Sequence, residues 1–295
     1  MTKVIINYVV DREKTENELA GLYNLKLNTD GESYTVVSAK RDDYSCLMLP
    51  KRYKGKPVTG IADGAFEGYT AATSAMIPES IERIGARAFF NCTEIYILML
   101  EEGLIEIGDE AFANLSSLNN LSLPYSLEYI GDRAFARTAL SSVSIGACVS
   151  QIGKAVFAGC TYLESIEVDE DNEYYYSDGQ CLIDSQDDTL IAGCNGSEIP
   201  NGVSALGEEA FAECEFEEIE IPDNIVGIYD RAFMDCVNLR EVTLPAYLES
   251  VGEAIFAGCK ELSTVYYDNT WEEWQQLYVD ENWDEGADFY FDCEE

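Results

Sequence analysis

Apolar residues recur along the chain at a fixed interval. Phe66, Phe89, Phe112, Phe135, Phe157, Phe211, Phe233 and Phe256 follow one another at spacings of 23, 23, 23, 22, 54, 22 and 23 residues. Five residues before each stands an aliphatic: Ile61, Ile84, Ile107, Ile130, Ile152, Leu206, Ile228 and Val251. Glycine follows that aliphatic in six of the eight repeats. About ten residues after each Phe the pattern becomes alternation, as in LNNLSLP, LSSVSIG, LESIEVD, FEEIEIP, LREVTLP and LSTVYYD, which is the period of a strand with one buried face. Pro78, Pro124, Pro200, Pro222 and Pro245 each lie eleven residues before the next Phe, where proline ends strand pairing without removing a needed donor. Each period thus predicts a short strand, a corner, a second apolar turn and another corner.

A unit of 22 or 23 residues is too short to bury its own apolar face, so neighbours must stack, strand beside strand, around a continuous core. The expected fold is a right-handed, β-rich solenoid of parallel short strands, about eight repeats long, capped at both ends. In SLPYSLEYIGDRAFA and TLPAYLESVGEAIFAGCKELSTV the repeat resembles the BspA-type leucine-rich repeats, and the resemblance covers 57–267. It implies a leucine-rich-repeat solenoid whose role is binding, commonly at or outside the bacterial surface, in adhesion to host matrix proteins or in cell-to-cell contact. It carries no catalytic residue over to this chain, and a fold by itself does not fix a function.

Three segments depart from the period. Residues 34–57 alternate like strands and resemble the hairpin that precedes the first repeat in that family. Residues 1–30 have no counterpart in the repeat, and together the two are read as an N-terminal cap over 1–57. The repeats run over 58–268. The 54-residue gap holds one period and an insertion at about 169–196, where CLIDSQDDTLIAGC reads as two strands around Asp187 and Asp188 and predicts a flap on the solenoid edge. Just before it, Tyr174, Tyr175 and Tyr176 form an acidic and aromatic candidate contact surface. Over 269–295 a helical, acidic cap is expected: Thr270 with Glu273 is a capping-box pattern. Trp271, Trp274 and Leu277 recur at helical spacing, to cover the end of the core or, if a Trp is exposed, to stack on a sugar.

On the strands, the residues flanking the buried pair line up in two outward columns. Met76, Ile97 and Met99 make one end apolar; Glu167, Glu218, Glu220 and Glu241 make the other acidic; Tyr266 closes it. Such a face suits a protein groove in which apolar anchors bind and glutamates steer a basic segment. It equally fits an ordinary solvated sheet with the N-terminal cap over its apolar end.

Charge and composition narrow the function further. With 18 basic and 56 acidic residues the formal charge is -38, which opposes binding to nucleic acid and to anionic lipid. Histidine is absent, which removes the commonest general base and metal ligand. Together with what the resemblance implies, this leads to the expectation of a non-catalytic protein-binding or adhesion module without cofactor, with a cytosolic scaffold and a carbohydrate-binding surface protein as alternatives. No run approaches the ~18 apolar residues that cross a bilayer, so no membrane insertion is expected. The start shows no small-residue cleavage site, so no signal peptide is read in the chain. A cell-surface location follows only from the resemblance; a cytoplasmic one is favoured by unpaired cysteines.

Of the ten cysteines, Cys92, Cys160, Cys214, Cys236 and Cys259 each lie three residues after a repeat Phe and predict a buried ladder. No C-x-x-C occurs to suggest zinc. Cys181 and Cys194 are placed to face each other across the inserted hairpin, as a disulfide in an oxidising compartment or as thiols in a reducing one. Asp169, Asp171 and Glu173 approximate part of a calcium loop but lack its glycine and terminal glutamate.

Overall fold

The structure is a computed structural model and describes residues 15–277 and 288–291. It is a parallel β-solenoid of about 11 turns with little helix. Each coil has three sides. The strand side is a short strand, as in Ser74–Ile77, Ile97–Leu100, Ser142–Ile145, Ser165–Val168, Glu241–Leu244 and Thr264–Tyr267. The bridge side is a two-residue strand ending on the repeat aliphatic. Coil after coil pairs in parallel there, Ile61 beside Ile84, Ile107, Ile130 and Ile152, then Leu190 beside Leu206, Ile228 and Val251. The third side is the turn that carries the Phe.

That turn has a backbone signature. In all eight repeats the residues two before and two after the Phe are left-handed, as in Arg87 (φ 56) and Asn91 (φ 60) around Phe89, or Glu110 (φ 51) and Asn114 (φ 62) around Phe112. Each non-glycine in that region costs about 1–2 kcal/mol. The return is a Phe pointed into the core and a backbone bond to the next coil: the Phe89 N–H donates to Ala111 at 2.8 Å and Phe112 to Ala134 at 2.9 Å. The rings stack near-parallel, with centroids 5.1 Å apart for Phe66–Phe89 and 6.0 Å for Phe135–Phe157. The glycine after the aliphatic is required by close approach: a Cβ on Gly131 would lie 2.6 Å from the Asp109 nitrogen of the preceding coil. Asp109 in turn accepts the Asp132 N–H at 3.0 Å, and Asp63, Asp132 and Asp230 cap the following coil in the same way.

The thiol ladder follows the same geometry. Cys92, Cys160, Cys236 and Cys259 are buried and donate to the carbonyl of the Phe one coil earlier, at 3.0–3.1 Å, and Cys214 is buried with them. Burial pushes the Cys92 thiol up to about 12 and Cys160 to about 11. Cys181 and Cys194 are free thiols. The Cys181 Sγ lies 3.7 Å from the Glu198 carbonyl and Cys194 3.5 Å from that of Gln180, and burial lifts Cys181 to about 12. Among the cysteines of the described residues, alkylation of the native protein at pH 8 should therefore modify exposed Cys148 first and half-buried Cys46 slowly. The ladder should react only after denaturation, as read by mass spectrometry; labelling of Cys236 in the native state would mean that its coil opens. These raised values also stabilise the fold fully below the unfolded thiol value of about 8.5. That contribution is lost as pH rises through 11 to 12.

Three expectations are corrected. The N-terminal hairpin is not 34–57: Tyr23–Leu27 pairs antiparallel with Tyr34–Ala39, and only Arg52–Tyr53 turns back within the expected segment. Tyr34–Ala39 and Cys46–Met48 already pair in parallel with the next coil, so the solenoid starts before the first repeat Phe. The reason is that Tyr23, edge-on to Phe66 at 6.1 Å, closes the ring stack in place of a further Phe.

The insertion is no flap. Tyr175–Asp178, Cys181–Asp184 and Thr189–Ala192 form three strands, each antiparallel to the next, the last pairing in parallel with the bridge strand Ala205–Leu206. Cys181, Leu182 and Ile183 are all 0% exposed. Leu182 faces the first core cluster, and Cys181 and Ile183 face the second, so this strand is an internal partition. Gly193 takes the place of a repeat Phe there, its N–H bonded to Ala210, and a Cβ on it would lie 2.0 Å from the Phe211 ring.

Nor is the strand side one continuous sheet: it is divided at 120–123 and again at the insertion.

At the C-terminal end, Thr270 caps the short helix Trp271–Trp274, and Trp274 lies over Tyr267 at 5.1 Å. Trp271 is half exposed against Phe291. The Trp at 283 lies outside the described residues. Among the described residues no helix is long and apolar enough to cross a membrane.

Candidate functional site: the strand side

Parallel pairing keeps equivalent residues in register, which is what builds columns of side chains from a repeated strand. One column runs Met48, Met76, Met99, and another Ser144, Glu167. Beyond the insertion Glu218 stands beside Glu241 and Thr264, and Glu220 beside Thr243, Tyr266 and Tyr290. Met99, Glu167, Glu218, Glu220, Glu241 and Tyr266 are exposed, whereas Met76 and Ile97 are half-buried. Ser74, two residues before Met76 on the same strand, is 2% exposed, and nothing in the structure accounts for its unpartnered hydroxyl.

The three tyrosines of the insertion separate. Tyr174 is exposed. Tyr175 is buried, and its hydroxyl accepts the Ile152 N–H at 3.0 Å, so it docks the insertion on the preceding coil and leaves the candidate contact surface. Tyr176 is half-buried and donates to Asp188 at 3.0 Å. Burial first, then that hydrogen bond and the Asp188 charge, push its phenol up to about 12. The loop before them is ordered by Asn172, whose amide donates to Gly146 and Val149 and whose oxygen accepts the Tyr174 and Tyr175 N–H groups. Asp169 accepts the Asp171 N–H at 3.0 Å.

Charge is unevenly compensated along this side. At the methionine end Lys51 pairs with Glu79 at 2.5 Å and Glu101 at 3.6 Å. A hydrogen bond with Glu101 and the Lys51 ammonium hold the exposed Glu79 carboxyl down at about 2. Further along, Glu167, Glu218, Glu220 and Glu241 have no cation partner among the described residues.

At 120–123 the sequence alternates as well as in any other coil, yet no ladder forms. Ile97–Leu100 pairs only with Ser74–Ile77, and Ser142–Ile145 only with Ser165–Val168. Over this break lies an open groove of about 460 Å³, lined among others by Leu100, Leu123, Val168, Glu102, Glu167 and Asp169. Tyr125, 72% exposed, stands at its edge.

Three residues of this surface escape the repeat pattern. Met48 lies 28 residues before Met76, off the period; Tyr290 follows the last repeat; Glu102 sits past the strand end. Only the C-L-M alternation at 46–48 carried a signal.

The sequence pattern of the BspA type leucine rich repeat region matches residues 44–178 and 192–278 in six copies. The unmatched 179–191 fall in the partition. No curated protein sequence matches the chain. A leucine-rich repeat protein from Eubacterium ventriosum superposes with a TM-score of 0.67 at 18% identity, over 85% of this chain and 72% of its own. One from Bacteroides ovatus gives 0.55 at 20%, over 91% and 77%. The pneumococcal vaccine antigen PcpA gives 0.55 at 21%, over 84% and 80%. At these identities the likeness is one of fold.

Proposed function

Because the chain belongs to the BspA-type leucine-rich repeat family, we propose that it is a non-catalytic interaction module that binds a protein partner through its strand side. The observation that carries this reading is the column in which Glu218 stands directly beside Glu241, with no cation on either among the described residues. Like charges facing each other across a strand pair are destabilising. A solvated sheet gains nothing from that arrangement, whereas a surface that attracts a basic partner does. Met76, Ile97 and Met99 supply apolar contact at the other end, and Tyr266 beside Tyr290, with ring centroids 5.5 Å apart, supplies aromatic contact. Tyr174, exposed on the insertion, extends the surface.

A screen against immobilised extracellular-matrix proteins, the partners the family resemblance suggests, provides the ligand for the test. Replacing Glu167, Glu218, Glu220 and Glu241 together by Gln is expected to slow association about tenfold at low salt and to flatten its salt dependence, with little change in melting temperature. The control carries Gln at Glu94, Glu128, Glu249 and Glu261, exposed acids away from the strand side, and has the same net charge. Equal losses in the two variants would show that bulk charge alone is felt, and the strand side would then be abandoned as the site.

A further inference from the structure

The groove over 120–123 combines three properties that the rest of the strand side does not. Its floor is apolar, with Leu100, Leu123 and Val168 each half-buried and Leu121 beneath them. Its rim is acidic: Glu102, Glu167 and Asp169 line it, no Lys or Arg occurs in 97–102, 119–126, 142–147 or 165–172, and none of the three acids has a salt-bridge partner among the described residues. Glu102 is held in place by the Tyr125 and Ser126 N–H groups at 3.2 and 3.3 Å.

The third property is in the backbone. The N–H and C=O groups of Leu121, Ser122 and Leu123 make no hydrogen bond to another residue among those described, although the same groups in other coils are spent on the ladder. Backbone groups are strong, obligatory partners. In residues that line an open groove, these can be satisfied by water or by the backbone of another chain.

We propose that this groove binds an extended segment of a partner polypeptide in which aliphatic and basic residues alternate. In an extended chain alternate side chains point to opposite sides. The aliphatic set then lies on Leu100, Leu123 and Val168, the basic set reaches Glu102, Glu167 and Asp169, and the guest backbone bonds to 121–123. Main-chain bonds of this kind supply affinity while alternate side chains supply specificity. The inference rests on the strand side being the binding surface and specifies one subsite and the chemistry it takes.

The probe is a labelled acetyl-KVKVKVKV-amide peptide added to the full chain, with the Glu-for-Lys peptide and a backbone N-methylated copy of the Lys peptide as comparisons. One variant, Ser122→Trp with Ser144→Trp, fills the groove from two exposed positions without changing charge; its melting temperature checks the fold. The other carries Glu218→Gln, Glu220→Gln and Glu241→Gln beyond the insertion. The Lys peptide is expected to bind. The Trp variant should weaken binding by about tenfold or more, the Gln variant by less than about twofold, and N-methylation should weaken it at unchanged charge. No binding, or equal loss in both variants, overturns the proposal. Loss in the Gln variant with retention in the Trp variant also overturns it, while leaving the wider strand-side reading intact. A matrix partner indifferent to the Gln variant, with the peptide still obeying the groove, would separate the two in the other direction.

Discussion

Phe112→Ala is expected to lower the stability of the protein by about 3–5 kcal/mol, the range for removing a buried aromatic ring. The ring is 0% exposed and lies between Phe89 at 5.4 Å and Phe135 at 5.7 Å, nearly parallel to both. Its neighbours cannot close the gap, because the turn that holds each ring is pinned by backbone bonds to the coils on either side. The cavity therefore persists, and its cost adds to the lost burial. Tyr125→Ala, at an exposed ring, is expected to change stability by less than about 0.5 kcal/mol. Urea titrations of the two variants make the comparison, and an unchanged midpoint for Phe112→Ala would remove that ring from the core.

The second large effect is expected at the partition, where the ring stack is interrupted and the two core clusters meet. An ion-pair cluster bridges this junction: Arg133 contacts Glu209 and, at 3.0 Å, Glu213, and Arg137 contacts Glu213 at 2.6 Å. These arginines reach past a whole coil. They can do so because the intervening left-handed positions are Ala155 and Gly159, and a Cβ on Gly159 would already lie 2.9 Å from the Arg137 side chain. Arg133→Met leaves Glu209, with 8% side-chain exposure, and Glu213, with 12%, short of a partner. Removing one member of a buried pair costs about 3–5 kcal/mol. The lower end is expected here, because the Arg133 side chain keeps 24% of its exposure and Glu209 retains Arg231 at 3.5 Å. Calorimetry should show one transition for the parent and two for the variant, as the halves unfold apart. A single, merely shifted transition would assign the coupling to the alanine contacts around Ala136, Ala158 and Ala212 instead.

The coil itself was legible because one large residue, Phe, returns at an interval that no other demand on the chain would produce. The partition was not, for a physical reason: Cys181–Asp184 is buried on both faces, and a short apolar strand of that kind has the same pattern whether it covers an edge or divides a core. One signal was present. Tyr175 lies 23 residues after Ile152, at the aliphatic position of a further coil, and its burial there is what converts a surface loop into structure. The groove had no signal at all. LNNLSLP alternates like its neighbours, and whether a ladder closes depends on the fit between adjacent coils, which alternation within one coil does not encode. The columns were readable residue by residue, but their division into separate sheets was not.

The left-handed position two residues before each Phe has a consequence for the order in which coils assemble. Coils so alike could in principle stack on the wrong neighbour, since Phe fits Phe and Ile fits Ile anywhere along the chain. At that position the chain places Arg87, Glu110, Arg133, Ala155, Glu209 and Arg231 in turn, so sign reverses from one charged coil to the next. Arg87 takes Glu110 and Glu67, and Glu209 takes Arg133 and Arg231. A coil of the first half that skipped one place would set Arg87 on Arg133. Among those first coils the charges thus oppose a one-place error that the hydrophobic core, being periodic, is unable to detect.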